Sequence, residues 1–139
     1  MKLNTDCIRD VLLYLEESLV IKDHKEFSSI TLSQLQDALS DRYTKDDVFY
    51  SVYNLYKMHY IEGRIKDVND MKMFFCEINN ITYPAHQFLN TVRPEPIWNK
   101  TKNIVAKVGN HTLEFIEGVA HDIAVESAKQ AITVMMEQK

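Results

Sequence analysis

The stretch over residues 44–80, TKDDVFYSVYNLYKMHYIEGRIKDVNDMKMFFCEINN, constrains this chain most, because its hydrophobic period changes partway along. In the first half apolar side chains recur at helical spacing in two stripes, Val48, Val52 and Leu55, then Phe49, Tyr53, Tyr56 and Tyr60. Thr44 can cap this helix, and Asp46 and Asp47 suit the positive end of its dipole. A helix apolar over so wide an arc is held between neighbours. The expected break comes at Gly63, around which Ile61, Gly63 and Ile65 alternate with Glu62, Arg64 and Lys66 as in a strand. Residues 67–70 are turn formers, and residues 71–78 return with Phe74, Cys76 and Ile78 on one face.

Two shorter helices are expected before this unit. Asn4 or Thr5 caps the first, whose stripe is Ile8, Val11, Leu12, Leu15 and Leu19. Residues 20–29 are polar and read as a loop leading into an extended piece over 27–31. Thr31-Leu-Ser-Gln34 is a capping box for a second helix carrying Leu32, Leu35, Ala38 and Leu39. A helical pair, a long helix and a hairpin make up the plan of a winged helix-turn-helix, with the hairpin as wing. Beyond it, Thr82 and Pro84 begin another helix through His86, Phe88, Leu89 and Val92. Pro96 opens the next, with Ile97, Trp98, Thr101, Ile104, Val105 and Val108 in register, and Gly109 stops it. The last helix runs from about residue 112 along Leu113, Ile116, Ala120, Ile123, Ala124, Ala128, Ala131 and Met135. The expected fold class is therefore α+β and mostly helical. A winged-helix core covers residues 1–93, and a helical extension over 94–139 packs on it or forms a dimer interface, the whole being one domain.

At 139 residues with 45% apolar side chains, the chain is long enough for one real core. Cys7 and Cys76 stand far apart without metal or redox spacing, which fits a reduced compartment. There is no leader pattern and no apolar run of spanning length, so a cytoplasmic protein off the membrane is expected. The formal net charge of −4 argues against non-specific nucleic-acid binding by bulk electrostatics. The charge is unevenly spread. Residues 93–108 carry Arg93, Lys100, Lys102 and Lys107 against Glu95 alone, between two acidic blocks.

Two segments, MKLNTDCIRDVLLYLEESL and ITYPAHQFLNTVRPEPIWNKTKNIVAKVG, resemble a widespread family of uncharacterised small proteins carried mostly by phages and prophages of Gram-positive bacteria. Ile81, Thr82, Tyr83, His86, Phe88, Leu89, Arg93, Trp98, Lys100 and Lys102 stand at the matching places. The chain departs from the pattern at Pro84 and at Ala85, where the family commonly has Gly. The resemblance implies a winged-helix fold and a phage setting, and it carries over no catalytic or ligand residues.

Four candidate sites follow. The free face of the central helix holds Tyr43, Asp46, Asp47, Tyr50, Asn54 and Lys57, and in a DNA-binding winged helix it enters the major groove. Asn54 can address adenine there, whereas the two Asp repel phosphate. Arg64, Lys66 and Lys72 line the wing, interrupted by Asp67 and Asp70. Lys100, Lys102 and Lys107 with Arg93 form the basic island. The last helix, with its small-residue stripe, leaves self-association open. His86 is expected to pack or hydrogen-bond, and Trp98 to be core. Glu117 and His121 lie four apart but lack further ligands, so no metal and no cofactor are expected. No HExxH, GxGxxG, GxxxxGK or GxSxG pattern occurs, and three Gly in the whole chain argue against a phosphate cradle. The reading is a non-enzymatic binding protein. Its first form is a transcription regulator contacting DNA through Tyr50, Asn54, Lys57, Arg64, Lys66, Lys100 and Lys102. Its alternative form is a winged helix that binds a host or phage protein, such as a defence factor or polymerase, through its acidic and tyrosine-rich faces.

Overall fold

The computed structural model describes residues 1–68 and 73–138. Of the turn expected at 67–70, Asp67 and Val68 instead continue the first strand of the hairpin, while Asn69 and Asp70 lie outside the described residues, as do Met71 and Lys72. The described residues are α+β and mostly helical, with two small antiparallel sheets. The chain divides into two compact units, Met1–His86 and Gln87–Lys139.

In the first unit, helix α1 (Thr5–Ser18) is capped by Asn4, whose Oδ1 accepts the Cys7 amide at 3.1 Å. Its buried face holds Ile8, Val11, Leu12 and Leu15 of the expected stripe, joined by Cys7, whereas Leu19 is the half-buried C-cap just past the helix. Strands β1 (Ile21–Lys22) and β2 (Glu26–Phe27) then pair as a small hairpin where a loop was expected. Asp23 and His24 both take positive φ, and the Lys25 amide donates to the Lys22 carbonyl, a turn that matches strand twist. No Gly advertises this turn, so composition alone reads as loop. Strand β3 (Ile30–Thr31) leads into α2 (Leu32–Ala38), which opens on the reciprocal Thr31–Gln34 capping box.

Helix α3 (Lys45–Lys57) starts at Thr44, whose hydroxyl accepts the Asp47 amide. Val48, Val52 and Leu55 are fully buried. The helix ends earlier than the expected break at Gly63. The His59 amide donates to the Tyr56 carbonyl and the Tyr60 amide to that of Leu55, with His59 itself left-handed at φ 59°. These are the two bonds of a Schellman motif, which frees Tyr60 from the helix while burying it in the core.

Strands β4 (Ile61–Val68) and β5 (Met73–Ile81) form the hairpin, and β3 pairs with the outer side of β5, giving the order β3-β5-β4. Glu62 pairs with Asn80 but Gly63 with Ile78, so Asn79 is the extra residue of a bulge. At Gly63, φ is 154° and a Cβ would run into the Glu77 carbonyl oxygen. The second face of α3 lies against this hairpin. Phe74 makes ring contacts with Phe49 (5.4 Å), Tyr53 (5.5 Å) and Tyr56 (6.1 Å between centroids).

Helix α4 (Tyr83–Val92) crosses from the first unit into the second. The second unit continues with α5 (Glu95–Val108), which stops at left-handed Gly109, and α6 (Leu113–Glu137), capped by Thr112. Its core comprises Phe88, Leu89, Val92, Trp98, Val105, Leu113, Ile116 and Ala120. The expected stripe of α6 is buried only as far as Ala120. Ala128, Ala131 and Met135 are exposed.

Two backbone predictions have opposite signs. Gly63→Ala is expected to cost on the order of 3 kcal/mol, because the clash is with backbone. His59→Gly is expected to add about 0.5–1 kcal/mol by relieving a left-handed non-glycine. Urea titration of each variant checks both, and equal small effects would refute the assignment. The buried thiols supply a third prediction. Burial pushes Cys7 up from 9.0 to about 11 and Cys76 to about 12. Since both folded values lie above the unfolded one, their contribution to stability is complete below pH 9 and is lost as pH rises from there towards 11–12. At pH 8 both thiols should react with a thiol reagent only at the rate of unfolding, and rapid labelling of the native protein would contradict this.

Candidate functional site

The site that the fold builds most completely lies where α3 meets the hairpin. Helical spacing puts Asp46, Tyr50, Asn54 and Lys57 along one side of α3, with Lys57 bordering the aromatic stripe. Along β4 the period of two carries Ile65 and Asp67 to the face towards α3, while Glu62, Arg64 and Lys66 stay exposed. Asp67, whose side chain is only 13% exposed, therefore meets Lys57, and Oδ2 lies 3.0 Å from Nζ. The same oxygen accepts the Tyr53 hydroxyl at 3.2 Å. The Lys57 ammonium also sits 5.1 Å from the Tyr53 ring centre and 5.8 Å from that of Tyr56. Its hydrogen bonds to Asp67 and Tyr53 hold the ammonium pKa above the ordinary lysine value.

The neighbouring polar groups are also committed. Asn54 donates its side-chain N–H to the Tyr50 carbonyl at 2.8 Å, within its own helix. Before α3, Asp10 of α1 gathers Arg42 and Tyr43, with Oδ2 3.0 Å from Arg42 Nη1 and 2.5 Å from the Tyr43 hydroxyl. Burial, then the bond to Asp10, raises the Tyr43 phenol above its ordinary pKa. Asp46 stands exposed at the start of the helix, and Asp47 and Tyr50 are half-buried. The arrangement thus brings together Tyr50, Asn54 and Lys57, and leaves Arg64 and Lys66 on the outer side of β4. Lys100 and Lys102 belong to the second unit, Lys100 exposed and Lys102 half-buried.

Asp67 and Asp10 were not foreseen as partners in the site. The signal for Asp67 was present, because alternation puts this carboxylate on the apolar face of β4, where a buried charge demands a cation. For Asp10 nothing in the sequence pointed to Arg42 and Tyr43, more than thirty residues away.

Clefts also lie elsewhere among the described residues. In the first unit a cleft of about 200 Å³ is lined by Leu15, Leu19, Val20, Ile21, Phe27 and Ile81. His86, expected to pack or hydrogen-bond, is exposed at its edge, because it falls on the outward side of α4. In the second unit a wider groove of about 480 Å³ includes Gln87, Thr91, Glu117, Gly118, His121 and Asp122. Among the described residues no group of three His, Cys, Asp or Glu is placed to hold a metal. Among them, too, no helix is long and apolar enough to cross a membrane.

Residues 2–111 match the family described as Hypothetical protein (DUF2513). The chain belongs to this family. The match runs from α1 through α5 and closes before α6. No curated protein and no solved structure matches the chain.

The commitment of Lys57 has a measurable consequence. Asp67→Asn should release the ammonium and raise affinity for an arbitrary DNA duplex at low salt several-fold, with the salt slope steeper by about one. Fluorescence anisotropy across a salt series reads both, and an unchanged slope would show that Lys57 was never neutralised.

Proposed function

We propose that this member of the DUF2513 family is a non-enzymatic winged-helix protein of phage type. We further propose that it acts by binding another protein through the acidic, tyrosine-bearing face of α3. The fold reading is supported by chain order: α1, the short strand β3, α2, α3 and the β4-β5 hairpin, with β3 added to the return strand. The phage setting rests on the resemblance carried by the opening segment and by residues 81–109.

One observation carries the choice of partner, namely that Lys57 is paired with Asp67 and Asn54 with the Tyr50 carbonyl. In a DNA-reading winged helix this helix enters the major groove and needs free donors for phosphate and base edges. Here both donors already have partners within the fold, and Asp46 and Asp47 occupy the end that would approach the backbone. Carboxylates around a partly exposed tyrosine suit a protein surface carrying Lys or Arg, with the ring as the anchor. DNA binding is kept as a second reading by the exposed Arg64 and Lys66 along the hairpin. That edge offers phosphate contacts without base readout.

Two measurements on the full chain test the proposal. Binding to its own upstream DNA and to an unrelated duplex, at low and physiological salt, should be equally weak, with Kd no tighter than about 10⁻⁴ M at physiological salt. A photo-crosslinker placed at Tyr50 should give a discrete protein adduct in the expressing cell, abolished by Asp46→Lys with Asp47→Lys. A sequence-specific DNA shift lost on Asn54→Ala would overturn the protein-binding reading in favour of the regulator.

A further inference from the structure

The second half of α6 is a helix with an apolar face and nothing in its own unit against it. At 1.5 Å per residue, the 25 residues of α6 extend about 37 Å and the 14 of α5 about 21 Å. The buried residues of α6, Leu113, Ile116 and Ala120, all fall in its first eight positions. From Val125 onward large apolar side chains point to solvent. Ile132 is 57% exposed, Met135 71% and Met136 65%, with Val125 and Val134 also open.

The residues of this half follow an order in which Ala124 and Ser127 are half-buried and the later ones exposed. Ala124, Ala128, Ala131 and Met135 repeat at the four-three spacing of a helix-pairing seam. Val125 and Ile132 flank it on one side, and Ser127 and Val134 on the other. The charged residues of this half, Glu126, Lys129 and Glu137, fall off the seam, with Lys129 next to the flank of Val125 and Ile132. Such a helix needs packing to persist. Val125, Ile132, Thr133 and Val134 are β-branched, and an isolated stretch of this length is marginal in water.

We propose that this face pairs with the same face of a second copy of the chain, making α6 a dimerisation helix. A two-fold contact requires a surface complementary to itself, and a seam without charge on it or beside it has nothing to repel its own image. The alanines along the middle let two backbones approach closely, so Val125, Ile132 and Met135 can interdigitate across the axis. A charged partner finds no counter-ion on this face. An anionic membrane is opposed by the polar side, where two Glu stand against one Lys. The area limits the strength: the exposed half of α6 offers on the order of 500 Å² per copy, below the roughly 800 Å² per partner of a stable interface. The dimer is therefore weak and concentration-dependent.

Sedimentation equilibrium of the full chain from about 1 to 500 µM is expected to show mass rising from one copy towards two, with a midpoint near tens of micromolar. Ile132→Glu with Met135→Glu should shift that midpoint upward at least tenfold while leaving helical circular dichroism unchanged. Ala131→Cys, on the seam, should form an inter-chain disulfide under mild oxidation, and Thr133→Cys, on the opposite side, should not. Cys7 and Cys76 are buried and do not confuse this readout. A one-copy mass throughout the range would overturn the proposal. So would a dimer indifferent to the seam substitutions, or tight binding to anionic vesicles at concentrations where the protein is a single copy.

Discussion

One phenylalanine fixes what the face of α3 can be. Phe74 on β5 inserts its ring among Phe49, Tyr53 and Tyr56 of α3, and this contact holds the hairpin against the helix. Because β4 is in register with β5, Asp67 opposite Phe74, the position of that ring also decides where Asp67 stands. The carboxylate arrives beside Lys57 and Tyr53 with little exposure to water. In that environment an unpaired carboxylate would be costly, so the ammonium is drawn to it rather than left to solvent. Apolar packing thus sets the charge of a polar surface. The bulge at Gly63 belongs to the same device, since the extra residue at Asn79 adjusts the register that carries Asp67 to the helix.

Much of this architecture was legible in the amino-acid sequence, for identifiable reasons. Thr31 with Gln34, and Thr44, are capping residues whose chemistry is local, and both caps form where the pattern put them; of Asn4 and Thr5, Asn4 caps α1. The stripe of Ile8, Val11, Leu12 and Leu15 needs only periodicity to be read, and so does the alternation along β5. What escaped reading depends on contacts far apart in the chain or on unusual backbone. The end of α3 is set by a left-handed His59, and a sequence rule that looks for Gly places the break four residues late. The hairpin at Ile21–Lys22 and Glu26–Phe27 turns through Asp23 and His24, again without Gly.

The candidate site divides in the same way. Which residues share a side of α3 follows from the angle of 100° per residue, so Tyr50, Asn54 and Lys57 could be grouped in advance. Whether their donors are available does not follow, because availability depends on partners that periodicity cannot see. Lys57 counts as a free cation in any composition argument and is a neutralised one in the fold. Asn54 has the functional group that reads adenine, yet spends it on a carbonyl of its own helix. A list of residue types on a helix face therefore overstates what that face can bind.

The same reasoning bears on how weak surfaces combine. The face of α3 offers few free donors and a partly exposed ring, so under the proposed reading its contact would be modest and its energy would depend on one or two anchors. If α6 brings two copies together, a partner with two equivalent sites meets two such faces at once, and the second encounter occurs at an effective concentration in the millimolar range. Two weak contacts then give residence that neither supplies alone. The arrangement also needs no tight dimer, because a bivalent partner stabilises the pair by mass action. Under the two proposals together, occupancy of such a partner would rise steeply with the concentration of the chain.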